Sequence, residues 1–329
     1  MTGASHGLAM SGKRIFMELN QVFTTAFLVT WLAASIRLAG PILLAALGEL
    51  FGESAGVLNV GIEGTMLLGA LSSFLLAYLT GSPWLGLAGA MVVGLLANWL
   101  LAWFYVTARA SQVVVGIIFN TMALGLSSYA YRAVLGNEAK PQKAAMFSDL
   151  KIPILADLPV VGPIFFTHSW MVYFTFALAL VVGFVLYRTK FGLSVRAAGE
   201  YPRAADTAGI NVFRMRYLGV MISGAAAGMA GAYLILCQLG IFRDNIIAGR
   251  GFIALAIVIF GRWNPYKAAI AALLFGAADA LQLSLQIFDF GVPPQLLLSL
   301  PYVLTILAVS GLLGKAIQPA ALLTPYVKE

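Results

Sequence analysis

The sequence predicts an all-α fold: a polytopic integral membrane protein of about nine or ten transmembrane helices, with a short extra helix in a cytoplasmic loop. Three observations carry this. Hydrophobic residues make up 61% of the 329 and charged residues only 10%, where a soluble domain carries about 25%. Mean hydropathy is +0.92. The apolar residues fall into successive runs, several close to the ~20 residues that one helical crossing needs. Thirty-three charges cannot cover a water-soluble globule of this size, which excludes a soluble enzyme, and the same figures exclude a disordered chain. A net charge of +7 in such a chain marks cytoplasmic loops rather than a nucleic-acid surface. The single cysteine, Cys237, excludes a disulfide framework and reads as a packed residue.

The elements follow in order. Residues 1–20 form a polar tail carrying Lys13 and Arg14, and residues 21–315 form the transmembrane domain. The apolar material of Val22–Ile36 and Leu38–Leu50 is a retained membrane segment rather than a cleaved signal, because no soluble domain follows it. It is long for one helix and short for two, so nine and ten crossings both fit, and the two basic residues ahead of it favour ten with an inside N-terminus. Clearer runs are Val60–Tyr78, Trp84–Val106, Val113–Leu135, Trp170–Tyr187, Tyr217–Leu239, Ala268–Ile287 and Leu296–Leu313. Phe252–Phe260 is too short to cross alone and either borrows flanking residues or re-enters. Many of the 34 glycines lie in these runs, including Gly48, Gly52 and Gly56, and Gly224 and Gly228. Their four-residue spacing reads as tight bundle packing, since small residues let helix backbones approach closely in lipid.

Two connections are long. Residues 136–167, with Pro141, Pro153, Pro159 and Pro163, read as an irregular cap. Residues 188–216 hold Arg188, Lys190, Arg196, Arg203, Arg214 and Arg216 against only Glu200 and Asp206, which places this loop in the cytoplasm. Alternating outward from it puts eleven basic residues inside and six outside, with residues 316–329 a cytoplasmic tail.

Ionisable and amide groups in membrane segments are costly, and each is a candidate site. The stretch Gly48–Gly64 carries Glu49, Glu53, Asn59 and Glu63 among glycines, a composition suited to a broken helix whose freed backbone groups line a polar cavity. For Glu49 and Glu53 the simpler reading is a solvated turn with helix-capping acids. Asn59 and Glu63 share one face if the helix has resumed, and there a structural hydrogen bond and a pathway role stand even. Gln112 and Asn120 flank an apolar stretch; interhelical hydrogen bonding is the default and solute contact the alternative. With Asn59 and Glu63 they make the candidate translocation-pathway set. In Glu200–Asn211, Pro202 suits a first helical position, Arg203, Ala204, Ala205 and Asp206 continue a short helix, and Gly209 suits the left-handed residue that ends one. Two turns are too short to be stable alone, so this helix needs a partner. A fourth stretch, Ala248–Pro265, brackets a short apolar element with glycines and arginines, and Asp279 lies mid-helix downstream. No phosphate-binding loop, no hydrolase signature and no histidine–cysteine cluster is present, so no catalytic residue, metal or cofactor is expected.

The stretch Leu47–Gly64, the loop R-A-A-G-E-Y-P-R-A-A-D-T-A-G-I-N-V at Arg196–Val212, and G-R-G-F-I-A-L-A-I-V-I-F-G-R-W-N-P at Gly249–Pro265 together resemble the permease subunits of bacterial ABC importers in the branched-chain amino acid and simple-sugar group. The nucleoside-type simple-sugar permeases are the nearest in kind. Tyr201 departs from the pattern, where a more polar residue such as Asn is expected. The resemblance implies an inner-membrane translocation subunit that works as half of a pair, by alternating access, on a nucleoside or simple sugar. It implies that Glu200, Pro202, Arg203, Ala204, Ala205, Asp206 and Gly209 form the coupling helix that docks on a separate ATPase. It also implies a sister permease and a periplasmic or lipid-anchored solute-binding protein, with ATP hydrolysis on the ATPase. The alternative from the residues alone is an ion-gradient-driven transporter using Glu63 or Asp279; a membrane-embedded enzyme or scaffold is disfavoured by the missing catalytic clusters.

Overall fold

In the computed structural model, residues 24–136, 142–287, 293–309 and 317–328 are described. Helices α1 (Thr25–Ser54), α2 (Ile62–Thr80), α3 (Pro83–Ala102), α4 (Gln112–Leu135), α6 (Trp170–Arg188), α9 (Val212–Tyr233) and α11 (Pro265–Ile287) are the long ones. Among the described residues these seven spans are apolar and long enough to cross a bilayer, α3 and α9 being lengthened by π-helical turns to Thr107 and Leu239. The shorter elements are α5 (Val161–Phe165), α7 (Lys190–Glu200), α8 (Pro202–Thr207), α10 (Arg250–Phe260), α12 (Pro294–Leu298) and α13 (Leu300–Val309), with strands β1 (Asp149–Lys151) and β2 (Thr167–Ser169).

The ambiguous first apolar stretch forms one 30-residue helix that runs through Pro41. It is therefore one candidate span rather than two, and Lys13 and Arg14 lie outside the described residues. The Phe252–Phe260 run forms the 11-residue α10, about 16 Å long at 1.5 Å per residue, roughly half the ~30 Å hydrocarbon thickness.

The described chain divides into two compact units. In the larger, the described parts of residues 40–148, 169–272 and 307–329, helix α9 is the most enclosed, with 72% of its apolar window buried, and α4 the least, with 22%. The packing of α9 on α2 and α3 is written in glycine. A Cβ on Gly69 would lie 2.5 Å from the Gly228 carbonyl oxygen, and Cβ atoms on Gly94 and Gly228 would strike the carbonyls of Gly224 and Ala90. No larger residue fits at those crossings, and lipid offers no hydrophobic drive to compensate for a wider gap. Val57, Leu101, Tyr105, Phe119 and Val220 close the core beside the end of α1. The outward faces of α3 and α4 expose Trp84, Val92, Trp99, Ile117 and Ile118, as lipid-facing helices do. Ser128 and Arg132 of α4 bond the Asp244 carboxylate at 2.7 and 3.1 Å. These bonds, Ser128 first, hold that carboxyl below its ordinary 3.8, so the tie is present above that value and is lost only as pH falls beneath it.

The smaller unit comprises the described parts of residues 1–39, 149–168 and 273–306. Trp31 of α1 donates its indole N–H to the Ala277 carbonyl of α11 at 2.9 Å, and Gly276 lets the two helices meet, a Cβ there falling 2.8 Å from the Ala39 nitrogen. The proline-rich cap is a two-stranded β1–β2 hairpin around the single-turn α5, with His168 on the Ile164 carbonyl.

Gly228→Ala is expected to destabilise the purified protein by about 1–3 kcal/mol through overpacking. Gly125→Ala, where nothing lies within 4 Å of the new methyl, is expected to be neutral or slightly stabilising. Thermal unfolding in one detergent checks both.

Candidate functional site

The break between α1 and α2 is built from side chains that replace missing helical hydrogen bonds. Residues 55–61 leave the helix, with Gly56 left-handed at φ 88. The amides of Ala55, Gly56 and Val57 turn back onto Phe51, Glu53 and Gly52. Leu58 N–H donates to Gln112 Oε1 at 2.8 Å, and Asn59 N–H to Glu49 Oε1 at 2.8 Å. Asn120 takes both sides of the resumed chain: its Nδ2 donates to the Val60 carbonyl at 2.9 Å and its Oδ1 accepts from Gly64 N–H at 2.8 Å. Each of these peptide groups thus finds a protein partner at membrane depth, where water supplies none.

The side chain of Asn59 closes a second layer. Its Nδ2 donates to Asn98 Oδ1 at 2.6 Å and to Ser223 Oγ at 3.1 Å. Asn98 Nδ2 donates to Thr65 Oγ1 at 2.8 Å, and Ser223 Oγ donates to Glu49 Oε2 at 2.5 Å. All five residues are fully buried, and they tie α1, α2, α3 and α9 together at one level. Interiors reward such networks only when they are satisfied, and here one atom, Asn59 Oδ1, lacks a partner.

Two sequence-based expectations change. Glu49 and Glu53 are not a solvated turn: they lie inside α1 at 0% and 1% exposure. The sequence could not show that α9 and the Trp263 indole would cover them; Trp263 Nε1 donates to Glu53 Oε2 at 2.6 Å. Nor do Asn59 and Glu63 share a helical face, because α2 begins only at Ile62. Asn59 turns to Asn98 and Ser223, whereas the half-buried Glu63 accepts from Gly249 N–H at 2.8 Å and Gly251 N–H at 2.7 Å. Glu63 therefore caps the N-terminus of α10, where peptide dipoles favour a carboxylate. Gly251 has no room for a side chain, a Cβ falling 2.7 Å from Glu63 Cα. At the far end, Trp263 sits at φ 55, a left-handed conformation rare for so large a residue, and that conformation accompanies the indole's bond to Glu53. The short α10 is thus tied at both ends to the α1–α2 break. Asp279 lies on α11 in the smaller unit.

The second candidate region is the basic loop. Thr189 Oγ1 caps α7 by accepting from Gly192 N–H at 3.1 Å. Pro202 opens α8, which ends at Thr207, and Gly209 follows at φ 84 with its N–H on the Asp206 carbonyl at 2.9 Å. Asn211 Oδ1 then caps α9 through Arg214 N–H at 2.9 Å. Ala205 is the buried residue of α8; Glu200, Tyr201, Arg203 and Ala204 are exposed, with Pro202 and Asp206 half-buried. Residues 319–328 pack beneath this helix, a partner that reasoning from the sequence did not supply. It also missed Asn98, Thr65 and Ser223. A lone amide in the middle of the Trp84–Val106 run was the available signal for Asn98.

Lipid-length helices around an internally bonded helix break define a multi-pass membrane protein. The family described as branched-chain amino acid transport system / permease component matches residues 31–309, and the chain belongs to it. The guanosine ABC transporter permease protein NupQ of Bacillus subtilis (strain 168) is 41% identical over 307 residues, covering 90% of this chain and 95% of that protein. The nucleoside ABC transporter permease protein NupC of Lactococcus lactis subsp. cremoris is 37% identical over 298 residues, 88% of this chain and 94% of that protein. A glucose ABC transporter permease protein of Haloferax volcanii is 28% identical over 271 residues, 78% of this chain and 70% of its own. No solved structure matches the chain. The chain is a multi-pass permease subunit of an ATP-driven importer, which displaces the ion-gradient alternative.

Glu63→Gln offers one acceptor where two backbone donors converge, and its amide group opposes the other N–H. It is expected to lower stability by about 1–3 kcal/mol, and Trp263→Phe, which strips the indole donor from buried Glu53, by a similar ~1–3 kcal/mol. Melting temperatures in detergent read both.

Proposed function

We propose that this permease imports nucleosides across the bacterial inner membrane, paired with a second permease and supplied by a periplasmic or lipid-anchored solute-binding protein. ATP is hydrolysed on a separate ATPase, and α8 is the coupling helix that docks on it. The observation that carries the substrate class is the 41% identity, over 90% of this chain, to a permease named for guanosine. Simple sugars are the second reading, favoured by the glucose-named relative.

The side assignment rests on six basic residues crowded into 188–216. The C-terminal residues share that side because they touch α7 and α8: Ala321 N–H donates to the Gly199 carbonyl at 2.8 Å. These contacts support a cytoplasmic C-terminus. For α8, support comes from its geometry, an exposed Glu200–Ala204 edge on a two-turn helix seated through Ala205. Within the bundle, Asn59 and Gln112, at 0% and 4% exposure, hold the break closed, and the half-buried Glu63 and Asn120 are bonded to backbone around it, which supports a structural part for the candidate set beside any contact with solute.

Proteoliposomes holding the permease pair, ATPase and binding protein test the reading. ATP-dependent uptake of labelled guanosine, competed by other nucleosides and not by glucose, is expected. Uptake competed by glucose alone would transfer the assignment to sugars. Replacing residues 203–206 with a Gly/Ser linker is expected to leave the protein in the membrane and abolish uptake.

A further inference from the structure

Resting on that reading of α8, we infer that the C-terminal segment 319–328 is a positioning strap: it holds the coupling helix against the ends of α1 and α9 and so carries ATPase motion to the helix break. Five contacts define it. Ala321 N–H donates to the Gly199 carbonyl at the end of α7 at 2.8 Å, and Ala320 N–H to Glu200 Oε2 at 3.3 Å. Tyr326 is buried against Ala198, Ala205 and Val212, one residue each from α7, α8 and α9, with its ring 5.4 Å from that of Phe213. Arg216, 2% exposed on α9, donates Nη1–H to the Thr324 carbonyl at 2.8 Å. Lys328 reaches Asp206 of α8 at 3.3 Å.

Their weights differ. The Lys328–Asp206 bridge has side chains 65% and 22% exposed, and pairs of this kind contribute little. Arg216 is different: its Nε and Nη2 have no partner, so the Thr324 carbonyl is the acceptor that answers a buried guanidinium. Removing one partner of a buried charge costs far more than forming the pair gains, which ties α9 to the strap. Tyr326 supplies the matching apolar key, since Ala205, the buried face of α8, packs in its cluster.

The strap also reaches the break. A Cβ on Gly56 would lie 3.0 Å from Arg216 Nη2, 3.1 Å from the Ala321 carbonyl oxygen and 3.4 Å from Gly199 Cα. The turn after α1, the arginine, the tail and the end of α7 therefore meet in one layer of contact. Interfaces this tight move as units rather than deforming continuously. Displacing α8 carries the strap with it, and the strap bears on Gly56, three residues from Asn59.

The test uses the full reconstituted complex and the solute for which the wild type shows ATP-dependent uptake. Tyr326→Ala is expected to assemble with the ATPase and hydrolyse ATP within about twofold of wild type, while solute moved per ATP falls by about tenfold, within the usual span of coupling between sites. Tyr326→Phe keeps the ring and is expected to restore the ratio; Ile317→Ser, at 89% exposure, is expected to leave it unchanged. If Tyr326→Ala accumulates poorly, Phe213→Leu removes the facing ring from the α9 side and is expected to lower the same ratio. A wild-type ratio in Tyr326→Ala or Phe213→Leu, alongside uncoupling by the 203–206 linker, overturns the strap and leaves the coupling helix standing. Normal coupling in the linker variant overturns the coupling helix and the strap together.

Discussion

A peptide group in the hydrocarbon core of a bilayer has no water to bond, and a helix that stops there must find other partners for the groups it releases. This chain stops a helix at Ser54 and resumes at Ile62, and most of its buried polar chemistry follows from that one demand. Gln112, Asn120 and Glu49 each answer a specific amide or carbonyl of the break. Because those side chains sit on α4 and α1, the helices must approach closely. The glycines of α2, α3 and α9 make comparable approaches possible on the other side, with no Cβ at the crossings. Glycine content and buried amides are therefore two sides of the same solution, the first allowing contact and the second giving it polar specificity.

The break also organises its surroundings. A helix of eleven residues is marginal by itself, yet α10 is held at its N-terminus by Glu63 and just past its C-terminus through Trp263 and Glu53. Both acids belong to the segments flanking the break. On the other side, Gly56 touches Arg216, the tail and α7, which links the break to the loop proposed to meet the ATPase. The seven residues 55–61 and the helix ends on either side of them are thus touched by α10, the tail and α7.

Much of this was legible in the sequence, for reasons that are local. Composition alone implied the membrane. Glycines and acids between two apolar runs implied a broken helix at 48–64, because backbone freedom and trapped polarity both leave marks in composition. Pro202 and Gly209 bounded α8 because their backbone preferences act within a few residues. What could not be read depended on partners far along the chain. Glu49 and Glu53 looked like solvated caps, since nothing near them announces that Ser223 and Trp263, 174 and 210 residues away, will cover them. Arg216 looked like one more basic loop residue, and its burial depends on the tail more than a hundred positions later. Asn59 and Glu63 do not share the face that their spacing suggested, because the helix resumes three residues after Asn59 and turns the two side chains toward different neighbours.

Amide hydrogen exchange at the break, in wild type and in Gln112→Leu, tests the central claim most directly. If the Gln112 carbonyl holds the Leu58 amide, the variant exchanges at Leu58 about tenfold faster or more, the equivalent of losing roughly 1.4 kcal/mol of protection. Gly64, held by Asn120, stays protected. Unchanged exchange at Leu58, or acceleration spread evenly over α2 and α9, would contradict the claim that individual side chains satisfy the backbone of the break.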